Sequence, residues 1–210
     1  MQTNPAQATH ARMNASAAKS SASERQPLDR ATWIEFATGV LAEDGVDGLR
    51  VEVLARKLGV TKGSFYWHFK DRQALLSATV TTWRDARVQE VEQQVAIPAH
   101  EAHAQIRRIL DQYATQPNQQ RMRTELALRD WARRDLLVAA AVEAVDQARL
   151  QNAVRLFSLA GYVDEEAHTR ALLMFTHVFG LSMMMFEKSI SSDIAKKHAA
   201  IADLITRKPD

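Results

Sequence analysis

The sequence predicts an all-α fold in which a short three-helix segment precedes a larger helical domain. From Asp29 onward, apolar residues recur at spacings of three and four, which is the period of one helix face. Glycine and proline residues interrupt this pattern at intervals of helix length. The 210 residues, 46 % of them hydrophobic, suffice for one sizeable core or for a small domain packed on a larger one. We therefore divide the chain into a disordered tail (1–27), a helix-turn-helix domain (28–72) and a second helical domain (73–210).

The tail differs in composition from the rest of the chain. It is rich in Ala, Ser, Gln and Asn, contains Glu24 as its one acid and has no apolar periodicity, which is typical of disorder. It also lacks the apolar core of a secretory signal, and no run of about 18 apolar residues occurs that could span a membrane. The chain contains no cysteine, which excludes disulfides and thiol chemistry. These features predict a cytoplasmic protein without membrane contact.

The first two helices are expected to pack on each other. Asp29 can cap the first helix and Gly45 is its expected end. The apolar face of this helix consists of Ile34, Ala37, Val40 and Leu41. The second helix ends at Gly59, and its apolar stripe consists of Val51, Leu54, Ala55 and Leu58. Because this stripe covers barely two turns, the second helix is too short to be stable alone and must bury it against the first.

The third helix presents polar and aromatic residues outward. Thr61 can cap it, and Phe65 and Phe69, four residues apart, form its buried face. The residues left facing outward are Lys62, Gly63, Tyr66, Trp67 and His68. Such a helix, joined to the preceding one by a tight turn, has the geometry of a helix-turn-helix, whose recognition helix presents its first residues to base edges in the major groove.

The basic charge of the chain concentrates at the same place. The formal net charge is only +2, and basic and acidic residues are equal in number from Gln73 to the end. Between residues 50 and 72 the acids are only Glu52 and Asp71, whereas the basic residues are Arg50, Arg56, Lys57, Lys62, Lys70 and Arg72. A local basic surplus beside exposed aromatic side chains indicates contact with nucleic acid.

The segments "RATWIEFATGVLAEDG" and "LARKLGVTKGSFYWHFKDRQALL" resemble the DNA-binding domain of the tetracycline-repressor (TetR) family of bacterial regulators. The resemblance covers about residues 30–80. It implies that Thr61, Tyr66, His68 and Arg72 occupy positions that contact phosphates, and that Lys62 and Gly63 lie near base edges. The predicted DNA-binding residues are Arg50, Thr61, Lys62, Gly63, Ser64, Tyr66, Trp67, His68, Lys70 and Arg72. For Trp67, packing within the chain and contact with DNA remain equally open.

Two positions depart from the family pattern. Arg50 stands where many members cap the second helix with Ser or Thr, so that the cap must come from elsewhere and Arg50 is free to contact phosphate. Arg72 replaces the usual Lys, which keeps the charge but changes its hydrogen-bond geometry.

The second domain is expected to begin with a long helix from Asp71 to about Val95, and Pro98 marks its end. The apolar side of this helix consists of Leu75, Leu76, Thr79, Val80 and Trp83. Further breaks are predicted at Pro117 and Asn118, at Asp135 and at Gly161. The helices between these breaks would form an effector-binding core for an unidentified small molecule. The candidate pocket walls are Tyr113, Met122, Trp131 and Phe157, each of which also fits an ordinary core position.

The last two helices, expected at 164–188 and 192–207, carry a broad apolar face that indicates burial against another chain. In the family that this sequence resembles, the corresponding helices pair with their two-fold mates as a four-helix bundle. The candidate interface residues are Phe175, Val178, Phe179, Met183, Ile201 and Leu204. A homodimer of this kind would place two recognition helices about 34 Å apart, which predicts a palindromic double-stranded DNA operator.

Catalytic and metal-binding signatures are weak in this sequence. The histidines of "HEAH" at 100–103 are three apart, whereas a zinc protease needs them four apart on one helical face. The motifs GxSxG, Walker A and GxGxxG do not occur. Asp146 and Arg149 are spaced as an ion pair rather than as a general acid and base. We therefore expect no enzyme activity, no metal and no cofactor.

The resulting hypothesis is a homodimeric transcription factor, a repressor that a small-molecule effector releases from its operator. An activator, or a regulator without an effector, fits the same residues. The alternative from another class is an all-helical lipid- or metal-binding protein, or a small helical enzyme, whose basic segment contacts a protein or membrane surface instead of DNA.

Overall fold

The computed structural model describes residues 28–115, 119–183 and 192–207, and within these ranges all regular structure is helical. The helices are α1 (Arg30–Asp44), α2 (Val51–Leu58), α3 (Lys62–Tyr66), α4 (Arg72–Gln94), α5 (Ala102–Thr115), α6 (Gln119–Ala132), α7 (Leu136–Leu159), α8 (Asp164–Met183) and α9 (Ser192–Thr206). The all-α prediction is confirmed. The predicted tail and the predicted break at Pro117 and Asn118 lie outside the described residues. Among the described residues, no helix combines the length and the apolar character needed to cross a bilayer.

Local capping chemistry sets the helix ends in the N-terminal segment. The carboxylate of Asp29 accepts a hydrogen bond of 2.7 Å from the Thr32 amide at the start of α1. Gly45 and Gly59 end α1 and α2, each with φ of 69°, a left-handed backbone that a residue without Cβ adopts at no steric cost. Asp71 caps α4 and Asp135 caps α7 in the same way as Asp29 caps α1. The ends predicted at these five residues are confirmed.

The short helices α2 and α3 are held by a buried aromatic group. Phe65 is fully buried, with its ring 5.4 Å from that of Trp33 in an edge-on contact and 5.4 Å from that of Phe69 in a stacked one. Val51, Leu54 and Ala55 of α2 are buried in the same core. The tertiary packing thus supplies the stability that two-turn helices lack on their own.

One hydrophobic core joins the helix-turn-helix to the second domain. The cluster around Trp33 and Phe65 continues through α4 and includes Leu128 and Trp131 of α6 and Val138 of α7. A second cluster lies between α5, α7, α8 and α9; its largest fully buried residues are Ile106, Leu110, Phe157 and Leu156. Because α1 packs directly on α6, the helix-turn-helix is connected to the helices that follow through close-packed side chains.

A charge network ties α6 to α7. Glu125 is 4 % exposed, and its carboxylate accepts hydrogen bonds from Arg129 at 2.9 Å and from Arg149 at 2.9 and 3.0 Å. Arg129 also donates to both carboxylate oxygens of Asp146, at 2.8 and 2.7 Å. Burial opposes the charge of Glu125, yet the two guanidinium groups prevail and lower its pKa. The ion pair predicted between Asp146 and Arg149 is present at 3.6 Å as one part of this network.

Candidate nucleic-acid interface

Helix α3, the predicted recognition helix, is short. Its inner face is buried and its outer face is exposed. The Thr61 hydroxyl caps it by accepting from the Ser64 amide at 3.4 Å. Phe65 fills the interior, whereas Tyr66 is 58 % exposed and Trp67 is 87 % exposed. The Tyr66 ring leans edge-on against Phe65 at 5.2 Å, which holds it in place at the surface.

Trp67 is the most exposed aromatic side chain beside the basic segment. Burial of an indole ring removes a large apolar area from water and stabilises the fold. An exposed indole makes little of this contribution. Packing within the described chain therefore does not account for Trp67. Its position at the end of α3 makes it available to a molecule that docks on this face.

Lys62, the first residue of α3, is paired with an acid on α2. Its ammonium nitrogen lies 2.7 Å from the Glu52 Oε1, and both side chains are more than half exposed. The hydrogen bond from Lys62 lowers the pKa of Glu52, which favours its carboxylate form. Arg50 precedes α2 without a side-chain cap, as expected from its residue type, and its side chain is exposed together with that of Lys70.

Arg72 is directed into the domain rather than away from it. Its Nε donates to the Leu49 carbonyl at 2.5 Å and its Nη2 donates to the Val46 carbonyl at 2.9 Å. Both carbonyls belong to the turn between α1 and α2, and the guanidinium thus braces that turn against the start of α4. These bonds use the Nε proton and one Nη2 proton, which leaves only the other Nη2 proton and the two Nη1 protons for the phosphate contact expected of Arg72. Sequence reasoning missed this role because the partners lie 23 and 26 residues away.

Gly63, Ser64 and His68 complete the face. A Cβ added at Gly63 would meet only the Thr61 hydroxyl, at an ordinary contact distance of 3.6 Å, so nothing inside the domain demands a glycine there. Ser64 and His68 are half-buried. His68 lies near Asp29, whose pKa is lowered first by the hydrogen bonds from Thr32 and further by the His68 ring.

The three candidate pocket residues whose side chains the structure describes lie in different surroundings. Trp131 borders a cavity of about 160 Å³ between α4 and α7, which is also lined by Leu76, Val80 and Val138. Phe157 is fully buried in the second core and Met122 is half-buried on α6. The side chain of Tyr113 lies outside the described residues. Of the four, Trp131 alone is seen to line this cavity; the pocket assigned to the other three stays a prediction.

The candidate interface residues lie on α8 and α9. On α8, Phe175, Val178 and Phe179 are half-buried; on α9, Ile201 is 37 % and Leu204 60 % exposed. The side chain of Met183 lies outside the described residues. The candidate list omitted Leu172 and Leu173, which are about half exposed on α8. Leu172 precedes Phe175 by three residues, so the helical period could have placed it on the same face.

Comparisons with known proteins agree with this architecture. The family model "Bacterial regulatory proteins, tetR family" matches residues 34–79. The class D tetracycline repressor protein of Escherichia coli is 45 % identical over 51 residues, 24 % of this chain and 23 % of the repressor. The matched segment thus spans about a quarter of the length of that relative.

Solved structures extend the likeness to most of the chain. A TetR-family regulator from Rhodococcus sp. is 23 % identical with a TM-score of 0.59, covering 84 % of this chain and 98 % of its own. The regulator AibR, in complex with isovaleryl coenzyme A and operator DNA, is 18 % identical with a TM-score of 0.57, covering 84 % and 95 %. Identities this low show a shared fold. The family model and the repressor relative both match the helix-turn-helix, so this segment of the chain is similar to the DNA-binding segment of the tetR family of bacterial regulatory proteins.

Proposed function

We propose that this chain is a sequence-specific DNA-binding transcriptional regulator that acts without catalysis. The observation that carries the proposal is the outer face of α3, on which Tyr66 and Trp67 are exposed beside Lys62 while Phe65 seals the inner face. The likeness to the class D repressor over this same segment supports it, as does the operator DNA bound by AibR.

The exposed side chains fall into two groups, one suited to contact phosphates and one suited to contact base edges. Arg50 and Lys70 are suited to phosphates, and such contacts bind all sequences alike and weaken steeply with salt. Lys62 and Tyr66 stand on α3, from which side chains reach base edges in the major groove. Gly63 lets the helix backbone approach the duplex closely, because it adds no side chain between them.

The second part of the proposal is a homodimer built on α8 and α9. Among the side chains of these helices that the structure describes, the large exposed apolar ones are Leu172, Leu173, Ile201 and Leu204. Pairing with a two-fold mate would remove them from water and complete a four-helix bundle. Two recognition helices about 34 Å apart would then read a palindrome.

The third part is release by a small molecule, which makes the regulator a repressor. AibR supports the existence of an effector site in this fold, since its structure contains both isovaleryl coenzyme A and operator DNA. In this chain the cavity beside Trp131 lies between α4, the helix that follows the helix-turn-helix, and α7. An effector that binds better when α4 and α7 are further apart would favour a spacing of the recognition helices unsuited to the operator.

The proposal is tested by selecting purified full-length protein on randomised duplex DNA and sequencing the bound fraction. We expect an enriched palindrome with half-sites about one helical turn apart, and affinity for it that falls steeply with salt. Tyr66→Ala should weaken binding to the selected duplex by about 1–3 kcal/mol. The control is Leu136→Ala, which also truncates an exposed apolar residue, 89 % exposed, but lies on α7. Salt-sensitive binding with no enriched sequence would contradict the proposal.

A further inference from the structure

We propose that Glu52 determines sequence specificity, and that Glu52 and Lys62 act as one unit that reads a G·C base pair in each half-site. The inference rests on the proposed DNA-binding function and assigns to α2 a role in base recognition. It starts from the ion pair that connects α2 to the first residue of α3, with Nζ and Oε1 2.7 Å apart.

Stability does not explain this pair. The Glu52 side chain is 61 % exposed and the Lys62 side chain 55 % exposed. Pairs in such surroundings contribute little to the stability of the fold, because water screens the charges and the side chains lose freedom. What the pair does achieve is orientation: it holds the ammonium of Lys62 at one place on the outer face of the helix-turn-helix.

The other acids near this face have local tasks. Asp71 caps α4 by accepting from the Ala74 amide at 2.8 Å, and Asp29 caps α1. Asp44 holds Lys57 at 2.9 Å away from α3. Glu52 differs from them because its carboxylate pairs with Lys62, a residue that is predicted to contact bases.

A carboxylate on a DNA-facing surface has a cost. It repels the phosphates of every duplex, and therefore weakens binding to random DNA as much as binding to an operator. Such a carboxylate increases the difference in affinity between operator and random DNA if a base pair of the operator donates a hydrogen bond to it. Cytosine N4 is the donor that Glu accepts from in the major groove.

The spacing of the two charges matches one base pair. Guanine O6 accepts and cytosine N4 donates in the major groove, and these two groups are hydrogen-bonded to each other within the base pair. They are consequently as close together as Nζ of Lys62 and Oε1 of Glu52. The ammonium can donate to O6 while the carboxylate accepts from N4. In the inverted C·G pair both contacts are reversed, since the N4 donor then faces the ammonium.

The test compares Glu52→Gln with the wild type in the selection on randomised duplex DNA. Glu43→Gln is the matched control, because it removes the same charge from another exposed residue of the same domain. We expect Glu52→Gln to bind random duplex about two- to tenfold more tightly and to show a weaker preference for G·C at one position of each half-site. Glu43→Gln should keep the wild-type preference at every position.

A titration then isolates the base pair. Inverting that G·C pair in one half-site should weaken wild-type binding about 5- to 150-fold, the range for one mismatched pair, and should weaken Glu52→Gln by a clearly smaller factor, because only the Lys62 contact remains to be lost. The inference is overturned if Glu52→Gln keeps the wild-type preference at every position, or if the weakened preference concerns an A·T pair. Failure of the proposed function looks different, because the wild type would then enrich no sequence at all.

Discussion

Gly63 offers a substitution that should strengthen the fold while it weakens DNA binding. It lies in the first turn of α3, and a Cβ there would have only the Thr61 hydroxyl as a neighbour, at 3.6 Å. Replacing a helical glycine by alanine removes freedom from the unfolded chain, and at a site without clashes we expect Gly63→Ala to raise the free energy of unfolding by about 0.5–1 kcal/mol. For a chain of this length, that corresponds to a rise in Tm of about 1–4 °C.

The same methyl group should interfere with DNA. If the α3 backbone touches the duplex at Gly63, the added atom must be accommodated in a close-packed interface, at a cost of about 1–3 kcal/mol. Operator affinity should then fall about 5- to 150-fold, measured by fluorescence anisotropy on the selected duplex. Gly39→Ala is the matched control, since Gly39 lies inside α1 with nothing within 4 Å of an added Cβ. Wild-type affinity in Gly63→Ala would refute the close approach.

Three further changes test the interior of the chain. Arg72→Ala should lower the free energy of unfolding by about 2–4 kcal/mol in urea denaturation, because two backbone carbonyls lose a charged donor; an unchanged value would contradict the stabilising role of these two hydrogen bonds. Glu125→Gln should lower the free energy of unfolding by about 3–5 kcal/mol, since two arginines lose their buried carboxylate partner. The control Glu143→Gln, at an exposed residue, should change it by less than about 0.5 kcal/mol. Equal effects of the two substitutions would contradict the stabilising role of the network. Burial, and then the neighbouring His198, lower the pKa of His177, so the unfolded chain takes up a proton first as the pH falls through about 6.5. The free energy of unfolding should therefore decrease below that pH, and less so in His177→Gln; identical pH profiles in thermal melts would contradict this.

Features that depend on neighbouring residues were predictable from the sequence. The side chains of the capping residues Asp29, Thr61 and Asp71 each accept a hydrogen bond from the backbone amide three residues further on. Gly45 and Gly59 end helices because their backbone conformation is costly for other residues. The inward position of Phe65 and the outward position of Tyr66 follow from the helical period alone.

Features that depend on distant residues were not predictable. The partners of Arg72 lie in another turn, and Glu52 is ten residues before Lys62. Asp146 and Arg149 were recognised as a pair because they are three apart, whereas Glu125 and Arg149 are 24 apart and were missed. A pocket is formed between helices that are distant in the sequence. The sequence therefore could not distinguish Trp131, which lines a cavity, from residues that are buried in a core.

The central claim is that the outer face of α2 and α3 binds DNA, and amide hydrogen exchange tests it most directly. Exchange would be measured across the full-length protein with and without a saturating amount of the selected duplex. We expect the new protection to concentrate between residues 50 and 70, where exchange of the amides around Gly63 and Tyr66 should slow most. Protection confined to α8 and α9, or unchanged exchange between residues 50 and 70, would contradict it.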